Sequence, residues 1–328
     1  MEEKKDNRYP QVLFLGNGIN RAYDGSSWKN LLSHICVRDD IDVNGLTSPM
    51  PLQAILVTNN DIQNALKKHH KDLYGRIGSD AQKEVLLQIL SSGFDHIITT
   101  NYSYELEMVG TRKSEITDYA LKQLMRSSLP SEKADTKYCI RTYNEVMFEG
   151  KENRIWHIHG EARKPSSIIL GHYYYGNLFF KIREYIRNRH NTYKKQQENE
   201  EEIKINSWID AFILGDVYVL GFGYDLSEFD LWWLLERKES EKADTGKIHF
   251  FTPEPYDVDE KLLLLKTHRC VEIEHCGIQF PPKPAEKATN EEKEQYSKQC
   301  NDLYRKFYPL ALERINKVKE GITAWQSL

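Results

Sequence analysis

No Cys-x-x-Cys pair occurs anywhere in the 328 residues, and this removes a four-cysteine structural zinc site from consideration. The five cysteines, Cys36, Cys139, Cys270, Cys276 and Cys300, are odd in number and widely spaced. No secretory leader precedes them, the first ten residues are charged and polar, and no run of 18 apolar residues exists. The expectation is a cytoplasmic protein with free thiols. Massed positive charge is also missing. Net charge is -4 and Lys and Arg are scattered, so neither nucleic-acid nor membrane binding is expected. Internal repeats and low-complexity segments are absent too. What remains is a chain with 40% hydrophobic and 29% charged residues. That allows a sizeable core, in one large α/β domain with insertions or in two ordinary domains.

Residues 12–15 are a short, continuously apolar run closed by Gly16, as in a strand buried on both faces of a parallel sheet. The turn Gly16-Asn17-Gly18-Ile19-Asn20 follows. Ser26 or Ser27 then caps a predicted helix with Trp28, Leu31, Leu32 and Ile35 on its apolar face. Strand, glycine turn and helix together offer backbone N–H groups to a phosphate. Arg21, however, stands where the dinucleotide fingerprint of dehydrogenases has its third glycine. Taken alone, the turn fits a structural role as well as a nucleotide site.

The same pattern returns twice. Residues 94–100 predict a strand ending in Thr99-Thr100-Asn101-Tyr102-Ser103, where Thr100 and Asn101 either meet a ligand or cap the next helix. Residues 217–222 predict another, followed by Gly221-Phe222-Gly223-Tyr224-Asp225 and by Ser227, a good N-cap. Further strands are expected at 247–251 and 270–273 with a helix at 260–266 between them, and a short strand at 167–170. Residues 112–150 suggest no clear element. Helical spacing marks insertions near 46–92 and 173–214, the second rich in charge and opening on Tyr173-Tyr174-Tyr175. Residues 280–284 form a linker, and a last helix is expected over 290–322. Short apolar strands alternating with helices imply an α/β fold, a Rossmann-like doubly wound parallel sheet with helical insertions. The predicted division is a catalytic domain over 1–284 and a helical extension over 285–328.

Between the second and third turns lies Ile155-Trp156-His157-Ile158-His159-Gly160. If this stretch is extended, its period of two sends His157 and His159 to one face. Two imidazoles there suit a metal pair, a general base with a neighbour, or packing. A metal pair needs further ligands, and no recognised spacing links His172 to the two histidines, so no metal is expected.

Taken together and in this order, the Gly16–Asn20, Thr99–Ser103, His157–Gly160 and Gly221–Asp225 stretches resemble the sirtuin-like fold. They are most similar to the sirtuin-like domains of bacterial antiphage defence systems, which degrade NAD. The resemblance covers about residues 10 to 280. It implies that Gly16, Asn17, Gly18 and Asn20 form the pyrophosphate-binding turn. It also implies that Asn101 orients the nicotinamide ribose and the attacking oxygen, with Thr100 beside it, and that His159 is the catalytic histidine. Gly221, Gly223 and Asp225 correspond to the turn near the adenosine ribose and phosphates, and Asp230 is a further binding residue.

Protein-deacylating sirtuins also carry a zinc ribbon and a Gly-Ile-Pro-Asp-Phe-Arg segment. The first is absent here, and Tyr23-Asp24-Gly25-Ser26-Ser27-Trp28 replaces the second. The implied activity is therefore NAD+ hydrolysis to ADP-ribose and nicotinamide, with NAD+ as substrate. A non-catalytic NAD or ADP-ribose sensor and an ADP-ribosyl or acyl-group transferase are the alternatives. Because NAD loss is toxic, the resemblance also implies control by homo-oligomerisation or by a partner, such as a hexameric translocase-like ATPase or another sensor subunit. The last helix and the long charged helix are the expected assembly surfaces.

Overall fold

The computed structural model describes residues 9–128, 140–199, 201, 203–285 and 287–321. Its centre is an eight-stranded mixed sheet. The strands are β1 (Gln11–Leu15), β2 (His96–Thr99), β3 (Met125–Ser127), β4 (Thr142–Phe148), β5 (Lys151–His157), β6 (Asp216–Leu220), β7 (Ile248–Glu254) and β8 (Val271–Gln279). Their spatial order is β3-β4-β5-β2-β1-β6-β7-β8, and every pair from β5 to β8 is parallel. The six parallel strands thus run third, second, first, fourth, fifth, sixth. That is the order of a Rossmann-like sheet, with the topological switch point between β1 and β6.

Burial follows strand type. β1 is buried at all five positions, with Val12 and Phe14 in the core on one face and Leu13 and Leu15 in the core on the other. Each such side chain stabilises the fold by roughly 1.5–3 kcal/mol. The helices that cover the sheet come from both sides. Helices α1 (Gly18–Asp24) and α2 (Trp28–Ile35) follow β1. Next come α3 (Met50–Val57), α4 (Ile62–His69) and α5 (Asp80–Ser91). α6 (Glu105–Gly110) and α7 (Asp118–Leu124) follow β2. α8 (His172–Glu198) and α9 (Trp208–Leu214) lead into β6, then α10 (Phe229–Glu239) and α11 (Glu260–Lys266). α12 (Asn290–Lys319) is last. Residues of α8, α9 and α10 share the core with Val12 and Phe14, whereas those of α5, α6 and α12 share it with Leu13 and Leu15. The sheet is doubly wound, as expected.

Two local expectations change. Residues 112–150, given no element, contain α7, β3 and β4 among the described residues, while 129–139 with Cys139 lie outside them. β3 and β4 extend the parallel sheet by antiparallel pairing. β4 alternates buried with more exposed positions, and Glu149 and Gly150, both at positive φ, turn it back into β5. The predicted strand at 167–170 is instead a 3-10 turn, Pro165–Ser167, and a coil. Its Ile168 and Leu170 fill a separate core beneath α2, α3 and α4, so apolarity there reflects burial rather than pairing.

The last helix is found where the sequence predicts it, as α12. Along α12, Phe307, Tyr308, Ala311, Leu312 and Ile315 follow helical spacing and are buried in the same core as Leu13, Ile89 and Tyr218. The segment beyond 284 docks back onto the Rossmann-like body, and Ile322, the expected helix end, lies outside the described residues. The four described cysteines are free. Among the described residues no helix is long and apolar enough to cross a membrane.

Candidate active site

The first and third glycine turns meet at the switch point. Gly16 N donates to Leu220 O at 3.0 Å and Gly18 N to Gly221 O at 2.8 Å. A Cβ on Gly16 would stand 2.4 Å from Gly221 O, and one on Gly18 would stand 2.6 Å from the same atom. These glycines are therefore demanded by the close approach of two backbones. The first turn is also shorter than expected, since α1 begins at Gly18. Ser27 does cap the following helix, accepting from Asn30 N at 3.2 Å.

Outside these turns the carboxyl ends of the parallel strands surround a cleft of about 750 Å³. That is the position and size of a small-molecule site in an open α/β sheet. Asn17, Gly18, Thr100, Asn101, His159, Gly221, Gly223 and Asp225 all line it. Three expected residues do not. Gly16 sits behind the turn. Asn20 is buried, accepting from Gln82 Nε2 at 3.0 Å on α5. Asp230 is fully buried beneath His159.

His157 and His159 do not share a face. β5 ends at His157, and Gly160 N donates to His157 O at 3.1 Å, closing a turn that breaks the two-residue alternation. His157 packs toward α6, donating through Nε2 to Glu107 Oε1 at 2.8 Å and through Nδ1 to Asn101 O at 2.7 Å. Burial pulls its pKa down, but the charge and hydrogen bond of Glu107 outweigh this and lift it to about 9. The ring is cationic at neutral pH, and its second N–H fixes the Asn101 loop. His157 is thus a positioning residue. Asn101 Oδ1 is buried with no partner, a free acceptor on a residue of the cleft wall.

His159 turns to the opposite side, edge-on to Tyr175 with ring centroids 5.3 Å apart. Its Nε2 donates to Asp230 Oδ2 at 3.2 Å, and Glu228 Oε2 lies 3.9 Å away. Burial lowers the His159 pKa, yet the hydrogen bond and charge of Asp230, with Glu228 behind them, leave it above 6.5. Because Asp230 engages Nε2, Nδ1 is the nitrogen left to take a proton from a ligand. This base-and-orienter arrangement is the one found in nucleophile-activating sites generally. Glu228 titrates at about 7: burial lifts it, the His159 charge draws it back, and the Asp230 charge pushes it up again. Glu105, which also lines the cleft, is lifted to about 7 by burial against a hydrogen bond from Ser103.

Glu228, Glu105 and Tyr175 were not singled out in the sequence as site residues. For Glu228 a signal existed, since Asp225, Glu228 and Asp230 cluster directly after a glycine turn. Glu105 opens α6 and has no distinguishing spacing, and the tyrosine run fits packing equally well. Asp225 reshapes that segment. Its Oδ1 accepts from Ser227 N at 2.9 Å and Ser227 Oγ at 2.7 Å, so Ser227 is not a helix cap and α10 starts at Phe229.

Three groups of side chains have metal-ligand spacing among the described residues: His34, His69 and Asp72; His159, Glu228 and Asp230; and His249, Glu272 and Glu274. In the second, a cation on Nε2 would have to displace the hydrogen bond to Asp230.

Gly160 closes this region at φ +94, and an added Cβ would stand 2.2 Å from Ser167 O. Gly160→Ala is expected to destabilise the protein by about 2 kcal/mol or more, from left-handed strain plus a backbone clash. A denaturant midpoint within error of wild type would show that the turn tolerates a side chain.

Fold and cleft together define an α/β protein of Rossmann-like topology with a histidine–carboxylate pair at its switch-point site. No protein-family model matches this chain, and a search of curated proteins finds no match.

Proposed function

We infer that the protein is an NAD+ hydrolase, cleaving the bond between nicotinamide and ribose to give ADP-ribose and nicotinamide. The observation that carries this reading is the convergence of Asn101 and His159, from two different strand ends, on the one cleft at the switch point. Breaking the glycosidic bond sends its electron pair to the nicotinamide nitrogen and leaves positive charge on the ribose. Water then adds to the anomeric carbon and loses a proton. His159 Nδ1 takes that proton while Asp230 holds the ring and stabilises the imidazolium. Asn101 Oδ1 accepts from the water or from a ribose hydroxyl, and its amide N–H groups remain to donate. Glu228 and Asp230 supply the negative potential that a cationic ribose favours.

The resemblance to sirtuin-like antiphage domains extends the reading to a regulated effector that depletes NAD. Its activity would depend on homo-oligomer assembly or on a partner such as a translocase-like ATPase.

The test is nicotinamide release from NAD+ by the purified full chain, alone and with candidate partners, against Asn101→Ala. NAD+ left whole under every condition, or cleaved equally by wild type and Asn101→Ala, would sink the reading. Chelation separates the proton-transfer role from a metal role. Dialysis against EDTA is expected to leave the rate unchanged. A rate lost on chelation and restored by one divalent cation would make His159, Glu228 and Asp230 a ligand set.

A further inference from the structure

We propose that the last helix completes the ligand site, with the Tyr308 hydroxyl and Arg21 binding a phosphate group of the nucleotide beside Gly18. This deepens the nucleotide reading given above and rests on it only for the presence of a phosphate-bearing ligand. It assigns a binding role to a segment outside the four motifs.

Tyr308 is fully buried, lines the cleft, and its hydroxyl has no hydrogen-bond partner. A buried hydroxyl left unpaired costs free energy, so such groups normally have a partner that the bare chain does not supply. The atom's position says which kind of partner. An added Cβ on Gly18 would stand 2.5 Å from the Tyr308 hydroxyl oxygen, so that oxygen lies directly against the glycine turn at the switch point. Arg21, one turn along α1, lines the same cleft and makes no ion pair among the described residues. It is near enough for its charge to pull down the pKa of both Tyr304 and Tyr308. Burial nevertheless keeps the Tyr308 hydroxyl well above its ordinary range, so at neutral pH it is a donor. A neutral O–H donor and a guanidinium beside a side-chain-free turn suit an anionic acceptor with several oxygens.

The helix is held for this task. Arg305 Nε donates to Ala22 O at 2.7 Å and Tyr23 OH to Arg305 O at 3.3 Å, tying α12 to α1. Tyr304 stacks on Tyr308 with centroids 5.7 Å apart and an interplanar angle of 15°. Phe307, Ala311, Leu312 and Ile315 anchor the same face in the core. The hydroxyl therefore cannot swing away to find another partner without unpacking the helix.

The experiment is calorimetric titration of ADP-ribose into the full chain, wild type and Tyr308→Phe, with the thermal midpoint of each unliganded protein. Tyr308→Phe is expected to weaken ADP-ribose about tenfold, the effect of one hydrogen bond to a charged group, with no fall in the unliganded midpoint. Arg21→Gln, on the protein surface and outside the core, is expected to weaken it comparably. Equal affinity in wild type and both variants overturns the proposal. So does a weakening seen only together with a lowered midpoint, which would return Tyr308 to packing. Tyr308-dependent binding in a protein that leaves NAD+ whole would sustain this assignment and remove hydrolysis. Hydrolysis with Tyr308-independent and Arg21-independent binding would do the reverse. If wild type does not bind ADP-ribose, this assignment falls, and hydrolysis stands or falls on nicotinamide release alone.

Discussion

If His159 is the base of an NAD+ hydrolase as proposed, removing it should lower NAD+ cleavage by about 10²–10⁴-fold, the usual contribution of a positioned general base. The variant matters. His159→Ala leaves Asp230 as an unpaired, fully buried carboxylate, a change that typically costs about 3–5 kcal/mol and confuses activity with folding. His159→Gln retains an N–H donor toward Asp230 and removes the group that titrates. Its kcat should fall by the same factor with the unfolding midpoint near wild type. Product formation within tenfold of wild type in a folded His159→Gln protein would remove the proton-transfer role.

Asp230→Asn carries the second large effect, and its direction in pH is distinctive. In the wild type Asp230 holds the His159 pKa above 6.5, overcoming burial. The base works when neutral, so kcat/KM rises with pH through that raised value, and the acid limb lies above pH 6.5. With asparagine the raising charge is gone and burial acts almost alone, so the pKa falls and the limb moves to lower pH. The plateau should drop about 10²-fold or more, because the imidazolium formed in the reaction loses its counter-charge and the ring its fixed tautomer. Glu228, lifted to about 7, interacts with His159, so the limb belongs to the pair. A limb unmoved in Asp230→Asn would show that another group limits the rate. These measurements need saturating partner or oligomer if assembly controls the enzyme.

Much of this site is legible in the chain because parallel strands announce themselves. A strand buried on both faces must be short and apolar throughout, and the polar residue after it sits at the sheet's carboxyl edge. That rule places Asn17, Asn101 and Asp225 at one edge, the resemblance adds His159, and the structure puts all four on one cleft. The antiparallel hairpin of β4 and β5 leaves only its alternation and the Glu149-Gly150 turn as a trace in the sequence. A mixed pattern next to a charged segment reads as loop unless the turn is weighed first. The equivalence of His157 and His159 was an artefact of extending the strand by two residues. A turn at Gly160, visible only as a lone glycine, sends one ring to Glu107 and the other to Asp230.

Local sequence determined the six parallel strands, the glycine turns, the helix cap at Ser27, and the residue types available for chemistry, because each depends on neighbours a few positions away. The partners of those residues depend on contacts across the chain. His159 meets Asp230 across 71 positions and His157 meets Glu107 across 50. Tyr308 reaches the turn at Gly18 only because α12 packs back on the sheet. Burial and opposing charge at such meetings set which histidine is a fixed cation and which can exchange a proton. No spacing in the sequence encodes those quantities, so the tertiary structure alone decided them.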